Sequence, residues 1–400
     1  MDITPIATVS SLCESAAELE SLCKALSAKF ESAPKLVIAS YSSLCDTALF
    51  TGVLPACLPN SAIMGGSTCR GAMTQNGLVG FGAANVSLWG LCDDDGDYGV
   101  GFAKYDTSVV KSAEIALKQA LKHANREGEL PDLVWLHSSP GNEEAVVATL
   151  DSLLGGDVSI VGGSIADESL DAKWTCFAGD EVTGNGIALS VFFSSYEIST
   201  SFQCGYQPTV TTGIATRCEG RTVFEIDDQP AASVYNRWTN NLVNLSEVQL
   251  PVNVLGSSTL SPLGIAVGDV SGIPYYNLAH PETYTAEEAL TFFCEVAEGE
   301  KLTLMSGTLD NIITRPARVA NEAINNVDDD SDEIIGGLVV FCGGCLLAVE
   351  PRVAEVSEHL NTSMKNQPYM GCFTFGEQGR FSGGENRHGN LMISVTVFRK

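Results

Sequence analysis

An internal repeat is the feature that most constrains the fold of this 400-residue chain. In the first copy the apolar run at 36–39 is followed, 27 positions after Leu36, by Ile63 and the sequence Ile-Met-Gly-Gly-Ser. The second copy has the same spacing between Leu133 and Ile160, which begins Ile-Val-Gly-Gly-Ser. Because a repeated pattern signals a repeated supersecondary unit, we expect the chain to contain several similar units.

A third, looser copy lies near the C-terminus. Here the apolar run at 338–341 is followed by an amphipathic stretch and then, 31 positions after Leu338, by Tyr369-Met-Gly-Cys. A later apolar run closes each copy, at 79–91, 186–193 and 391–398. Each unit is therefore predicted to fold as strand, helix, tight turn and strands. The predicted class is α/β, with α+β as the alternative: two domains of layered mixed β-sheets covered by helices.

Amphipathic periodicity and one change of pattern suggest how the chain is divided. Helices are predicted at 10–30 and, most clearly, at 108–124, where apolar residues recur every four positions. Charge, Pro230 and a change of pattern coincide at 225–231. The predicted parts are an N-terminal helical segment at 1–34, an N-terminal domain at 35–228 and a C-terminal domain at 229–400.

Composition limits the classes of partner. The chain has 22 basic and 49 acidic residues and a net charge of −27, which disfavours nucleic-acid phosphates and anionic membranes. Its apolar runs are much shorter than the roughly 20 residues that span a bilayer. The 13 cysteines are odd in number, and no basic region followed by an apolar stretch precedes them, so reduced thiols are expected. The sequence predicts an acidic cytoplasmic protein that binds neither nucleic acid nor membrane.

Alignment of the repeats places Ser40, His137 and Cys342 at equivalent positions, just beyond the first strand of each copy. Ligands commonly bind at the ends of strands in open sheets, where free backbone N–H groups point outward. The trio is therefore a candidate ligand site. Ordinary capping or core polar residues are the alternative.

The glycine pairs and their neighbours form a second group of candidate ligand contacts. Glycine turns allow a ligand to approach the backbone closely, and the alternative is a turn that needs glycine for its own geometry. Glu377 could hold an amine or another cationic group, unless it is a loop carboxylate in water. The other residues of this group are Gly65, Gly66, Ser67, Gly162, Gly163, Ser164 and Gly371.

Two cysteines suggest an alternative chemistry. Cys342-Gly-Gly-Cys345 lies between a predicted strand and a predicted helix, a context that lowers a thiol pKa and supports disulfide exchange. With His359 the pair gives only three zinc ligands, so no metal site is predicted. A haem would need an axial histidine, for which His137 and His388 are the better candidates.

Five segments, taken in order, resemble the signatures of FIST domains. They are Ile63-Met-Gly-Gly-Ser, Ile160-Val-Gly-Gly-Ser-Ile-Ala-Asp, Cys204-Gly-Tyr-Gln-Pro, Val296-Ala-Glu-Gly-Glu and Gly371-Cys-Phe-Thr-Phe-Gly-Glu-Gln-Gly. The resemblance implies an N-terminal and a C-terminal FIST domain and a sensory role in signal transduction, with amino acids or other small molecules as ligands. Some stand-alone members of the family are described as haem-binding nitric-oxide sensors.

The chain departs from the family pattern at two places in its C-terminal part. Gly343-Gly344-Cys345 stands after Cys342 where an arginine is usual, and Arg387-His388-Gly389-Asn390 stands where a His-Asn pair followed by Thr is commoner. His388 and Asn390 complete the predicted ligand-binding residues.

Together these features predict a FIST protein that binds a small polar metabolite, such as an amino acid, and acts in intracellular signalling through a separate protein partner. A haem-based gas sensor, a thiol redox sensor and a protein-interaction subunit on the same scaffold are the alternatives. The sequence has no nucleophile elbow, phosphate-binding lysine loop, dinucleotide fingerprint or HExxH helix. No catalytic residue is therefore predicted, and the question of enzymatic activity stays open.

Overall fold

The computed structural model describes residues 4–106, 108–245, 247–325 and 333–400, which build four β-sheets covered by helices. Three sheets have six strands each and share one pairing pattern, and the fourth has nine strands. The predicted class, layered mixed sheets with helices outside them, is confirmed. No helix in these ranges is long and apolar enough to cross a membrane.

The first unit begins with a strand inside the segment 1–34, which was predicted as helical. Its elements are β1 (Ile6–Leu12), α1 (Ala16–Ser27), β2 (Leu36–Ser42), α2 (Thr47–Cys57), β3 (Ala62–Thr68), β4 (Ala72–Thr74), β5 (Gly77–Val79) and β6 (Asn85–Leu91). β2 pairs parallel with β3 and antiparallel with β6, whose other edge takes β1. All seven residues of β2 are buried, as expected for a strand covered on both faces.

The second unit repeats this order. Its elements are β7 (Asp97–Lys104), α3 (Val109–His123), β8 (Leu133–Ser138), α4 (Glu143–Leu153), β9 (Ser159–Ser164), β10 (Cys176–Ala178), β11 (Glu181–Thr183) and β12 (Gly186–Phe193). α3 confirms the helix predicted at 108–124. It begins after Ser108, whose hydroxyl oxygen accepts a hydrogen bond from the N–H of Lys111 (3.3 Å) and so caps the helix.

The third unit is interrupted by an insertion at 207–306, which forms the nine-stranded antiparallel sheet. The unit begins with β13 (Glu197–Cys204). The insertion contains β14 (Gln207–Glu219), β15 (Thr222–Ile226), β16 (Gln229–Pro230), α5 (Ala231–Trp238), β17 (Val252–Asn253), α6 (Leu255–Ser258), β18 (Leu263–Val270), β19 (Ile273–Ala279), β20 (Pro281–Tyr284), β21 (Leu290–Phe292) and β22 (Lys301–Ser306). The unit then resumes with α7 (Leu309–Asn325), β23 (Ile334–Cys342), α8 (Gly343–Val349), α9 (Val353–Ser363), β24 (Tyr369–Thr374), β25 (Glu377–Arg380), β26 (Asn386–Gly389) and β27 (Met392–Arg399).

The short hairpins are exchanged between the units in cyclic order. β10 pairs with β3, β25 pairs with β9, and β4 pairs with β24, each time antiparallel. The second unit therefore extends the first sheet, the third extends the second, and the first extends the third. Inward-facing residues of all three sheets, such as Ile38, Trp135 and Leu338, form one central core, while the helices pack on the outer faces.

Strand pairing runs across the boundary predicted at 228/229. The boundary lies between β15 and β16, which pair with each other through Ile226 and Gln229. In addition, β13 precedes the boundary and pairs with β27, which follows it. Division of the folded chain at this point stays a prediction.

Candidate functional site

A cavity of about 370 Å³ lies where the three units meet the insertion. One wall lies at the carboxyl ends of β3, β9 and β23 and includes Cys69 and Asp167, which follow β3 and β9, and Cys342, the last residue of β23. The insertion supplies the opposite wall with His280 and Phe293. Clefts and cavities of this size hold small ligands.

Asp167 fixes the loop that follows β9. Its Oδ1 accepts a hydrogen bond from the N–H of Leu170 (2.6 Å), and its Oδ2 accepts one from the N–H of Lys173 (2.8 Å). A short acidic side chain commonly holds a loop in this way. Leu170, which has a φ of 60° and is 52% exposed, is thereby held at the rim of the cavity.

Arg70 lies at the cavity in a strained backbone conformation. Its φ is 63°, a region that non-glycine residues rarely adopt, and its N–H donates to Oε2 of Glu168 (3.1 Å). Oε1 of Glu168 in turn accepts a hydrogen bond from the Ser42 hydroxyl (2.9 Å). Glu168 thus holds the backbone of Arg70, and no acceptor for the Arg70 guanidinium is found among the described residues.

His280 and Asn390 form a polar corner of the cavity. Nε2 of His280 lies 3.1 Å from the carbonyl oxygen of Leu255, which can only accept, so Nε2 donates and Nδ1 is left as an acceptor. Burial lowers the pKa of His280 to about 4, so the ring is neutral at pH 7. Oδ1 of Asn390 accepts a hydrogen bond from the N–H of His280 (3.3 Å). Its Nδ2 has no partner in the described ranges, although Asn390 is only 2% exposed.

Cys342 and Glu377 are buried neighbours at the end of β23. Burial and the adjacent Cys345 thiol raise the pKa of Cys342 well above its usual value. Glu377 is fully buried and accepts hydrogen bonds from the Thr374 hydroxyl (3.0 Å) and the N–H of Met392 (3.0 Å). Burial and the nearby Cys342 raise the pKa of Glu377 well above its usual value. Glu377 is therefore a buried, hydrogen-bonded core group rather than a loop carboxylate in water.

A second polar group, behind the cavity, joins α4 to the insertion. The Ser164 hydroxyl donates to Oε1 of Glu143 (2.7 Å), and Oε2 of Glu143 accepts from Arg221 (2.5 Å). Burial opposes ionisation of Glu143, but His388 and Arg221 lower its pKa below the usual value. Both ring nitrogens of His388 are engaged, with the side chain of Gln378 (3.2 Å) and the carbonyl oxygen of Phe293 (3.3 Å). His388 also lines a second cavity, of about 490 Å³.

The predicted trio of strand-end residues is not equivalent in the structure. Ser40 and His137 lie inside β2 and β8, opposite Gly66 and Gly163, and not beyond the strand ends. The corresponding position in β23 is Val340, opposite Cys372, so Cys342 lies two residues further along the same face. Of the three, only Cys342 lines the 370 Å³ cavity.

The glycines predicted as turns lie within strands. Gly65 and Gly66 are in β3, Gly162 and Gly163 are in β9, and Gly371 is in β24. Their missing side chains make room for neighbours: a Cβ on Gly66 would lie 2.8 Å from the His137 ring. The glycines are thus explained by close packing between strands and sheets. The part of these glycines, and of Ser67 and Ser164, in ligand binding stays a prediction.

Gly163→Ala is expected to destabilise the fold by about 1–3 kcal/mol, because overpacking a filled core forces its neighbours apart. The added Cβ would lie 2.3 Å from Cγ2 of Thr374. Urea unfolding measures the loss. Gly52→Ala, on the exposed side of α2 with nothing within 4 Å, is the control and should raise stability by up to about 1 kcal/mol. Equal stability of the two variants would contradict this account.

Several residues that line the cavity were missed at the sequence level. Arg70 stands five positions after Gly65, and Asp167 stands five positions after Gly162, so extending the repeat alignment beyond the glycine pairs would have found both. His280 belongs to the insertion, which has no counterpart in the repeats, and no comparable signal marks it. Within the described residues no three His, Cys, Asp or Glu side chains are placed to share a metal ion.

The fold and the cavity are those of a protein that can enclose a small ligand between repeated sheets and an inserted domain. The FIST N domain model matches residues 35–229 and the FIST C domain model matches residues 231–380, so the chain belongs to the FIST family. Domains of this family are generally regarded as small-ligand sensory domains in signalling.

Neither the solved structures nor the curated sequences extend this assignment. One solved structure, described as "Cyanuric acid hydrolase: evolutionary innovation by structural concatenation", is 9% identical, with a TM-score of 0.34 over 100% of both chains. That similarity is too low to carry an argument. No curated protein sequence matches the chain.

Proposed function

We propose that this protein senses a small polar metabolite, such as an amino acid, in the 370 Å³ cavity and passes the signal to a separate cytoplasmic protein. The observation that carries the proposal is Nδ2 of Asn390, which has no hydrogen-bond partner among the described residues although Asn390 is 2% exposed and lines the cavity. A buried donor without an acceptor costs free energy, and a ligand that accepts from it removes that cost. The position at strand ends, where several units contribute loops, also favours ligand binding.

Thermal-shift screening against amino acids and related metabolites tests this proposal. A ligand that binds only the folded state raises the melting temperature, and Ala348→Trp, which fills the cavity from α8, should abolish the shift. Ala354→Trp, on an exposed position of α9, is the matched control and should respond as wild type does. The proposal fails if no compound shifts the transition, or if both variants respond equally.

The haem alternative has little geometric support. Both ring nitrogens of His388 are hydrogen-bonded, and Nε2 of His137 accepts from the indole N–H of Trp135 (3.2 Å). His137 is 2% exposed and lines neither the 370 Å³ cavity nor the 490 Å³ cavity. These two histidines do not fit an axial role.

We expect Cys342 to be alkylated slowly, which would argue against a thiol redox sensor. Because burial raises the pKa of Cys342, its reactive thiolate form is scarce at neutral pH. Iodoacetamide should therefore label the half-buried Cys92 before Cys342 in the folded protein, as followed by peptide mass spectrometry. Faster labelling of Cys342, or a reversible Cys342–Cys345 disulfide under mild peroxide, would favour a redox sensor.

A further inference from the structure

The Arg70 side chain is a cation without an ionic partner in a protein with a net charge of −27. In the described ranges no carboxylate lies within ion-pair distance of its guanidinium, and its Nε is buried without a hydrogen-bond partner. Arg70 is nevertheless one of the residues that line the 370 Å³ cavity. Acidic residues outnumber basic ones by more than two to one, so most arginines in this chain could find a carboxylate partner. The unpaired state of Arg70 therefore needs another explanation.

The nearby carboxylates are already used by the protein. Asp167 accepts from backbone N–H groups of its own loop, and Glu168 accepts from Ser42 and from the backbone of Arg70. The backbone at Arg70 is held at a φ of 63°, which costs free energy. The same Glu168 contact that holds this conformation leaves the guanidinium donors available to a ligand.

A second free donor belongs to the same cavity. Nδ2 of Asn390 is buried without a partner, while Oδ1 of the same amide is fixed by the N–H of His280. That bond orients the amide, so the unused group is a donor and not an acceptor. An arginine and a free amide donor together suit a ligand group that only accepts, and a carboxylate is the common organic group of this kind.

Besides these groups and the polar residues Ser169, Thr259 and His280, the cavity has several large apolar lining residues. Phe293 and Phe375 are half-buried in the walls, and Leu170 and Leu347 are 52% and 46% exposed at the cavity. Ligand cavities are lined mainly by apolar and aromatic side chains, and these residues are placed to contact an apolar part of a ligand.

From these contacts, and resting on the proposed ligand-binding function, we infer that the ligand is a small organic acid with an apolar body. Its carboxylate accepts hydrogen bonds from Arg70 and from Nδ2 of Asn390, and its body packs against Phe293, Phe375 and Leu347. An amino group on the ligand is not required for binding.

The test uses isothermal titration calorimetry on the full chain to compare carboxylic acids with their uncharged amides. Several pairs are used, and each pair has a different apolar group. Suitable pairs are 3-phenylpropionate with 3-phenylpropionamide, 4-methylpentanoate with its amide, and indole-3-propionate with its amide. We expect at least one acid to bind about 10- to 100-fold more tightly than its amide, as hydrogen bonds to a charged group predict.

Two variants assign that preference to the named donors. Arg70→Gln should remove most of the acid's advantage and leave amide binding unchanged, whereas Arg352→Gln, an exposed control, should change neither. Asn390→Asp keeps the acceptor for His280 but replaces the free donor with a charge that repels a carboxylate, so it should also weaken acid binding. It provides an independent test if Arg70→Gln folds poorly.

The possible failures are distinguishable. Equal binding of acids and amides by wild type, or an acid preference that survives both variants, would overturn the carboxylate inference while ligand binding in the cavity stands. If neither these compounds nor any metabolite of the thermal-shift screen binds, the proposed function fails, and the inference fails with it.

Discussion

Arg221→Met is expected to destabilise the protein by about 3–5 kcal/mol, because it leaves the buried carboxylate of Glu143 without the arginine that pairs with it. Arg221 contacts Glu143 (2.5 Å) and Glu144 (2.6 Å), and the side chain of Glu143 is only 2% exposed. The pKa of Glu143 lies below its usual value despite burial, so this group is charged at pH 7. Methionine has a similar length but supplies no charge.

Arg352→Met is the matched control. Arg352 also contacts two carboxylates, Asp310 and Glu355, but their side chains are 78% and 41% exposed. Pairs of this kind contribute about 0–1 kcal/mol. Urea unfolding at pH 7 compares the two variants, and adding Glu143→Gln to Arg221→Met should recover part of the loss. Equal losses in the two single variants would show that the buried pair has no special role.

Acidification is expected to remove the stabilisation that depends on neutral His137 and His280. Burial lowers the pKa of each to about 4 from 6.5, so the unfolded state binds protons first as the pH falls. The contribution of each histidine is present above pH 6.5 and is lost as the pH approaches 4. The loss is about 2 kcal/mol per histidine by pH 5 and about 3 kcal/mol by pH 4.

Glu377 acts in the opposite direction. Because its pKa is raised in the folded state, its contribution is present below pH 4.5 and is lost as the pH rises through the raised value. The histidine effect must therefore be measured as a difference from wild type at each pH. His137→Gln and His280→Gln should each flatten the fall in unfolding free energy between pH 7 and pH 5, whereas the exposed His359→Gln should not. An unchanged slope in both buried variants would contradict the assignment.

The repeated units and the central strands could be predicted because buried strands carry continuous apolar runs. The register of the third copy could not. β23 begins at Ile334 and includes Gly336 and Gly337 before the apolar run at 338–341. Glycine adds no apolar side chain to the pattern, so the strand appeared to begin two residues late, and Cys342 was aligned with Ser40 instead of Val340.

The part of the cavity wall that belongs to the repeated units could be predicted in part from the sequence, whereas the part that belongs to the insertion could not. Cys342 and Asn390, two of the predicted ligand residues, line the cavity, and their part in ligand binding stays a prediction. The opposite wall comes from the insertion, which has no repeat pattern. The place of His280 in the site depends on its contacts with Leu255 and Asn390, which are distant in the sequence. A tertiary contact of this kind leaves no periodic signal in the sequence.

The cyclic exchange of hairpins has a consequence for symmetry. No unit completes its own sheet, and each donates a hairpin to one neighbour while receiving a hairpin from the other. Such a head-to-tail contact, repeated three times, is the rule by which identical subunits close a ring. The three units of this single polypeptide are therefore arranged like the three subunits of a cyclic trimer. Its third unit differs from the other two because it contains the nine-stranded sheet, and this departure from threefold symmetry gives the 370 Å³ cavity a wall that the repeated units do not supply.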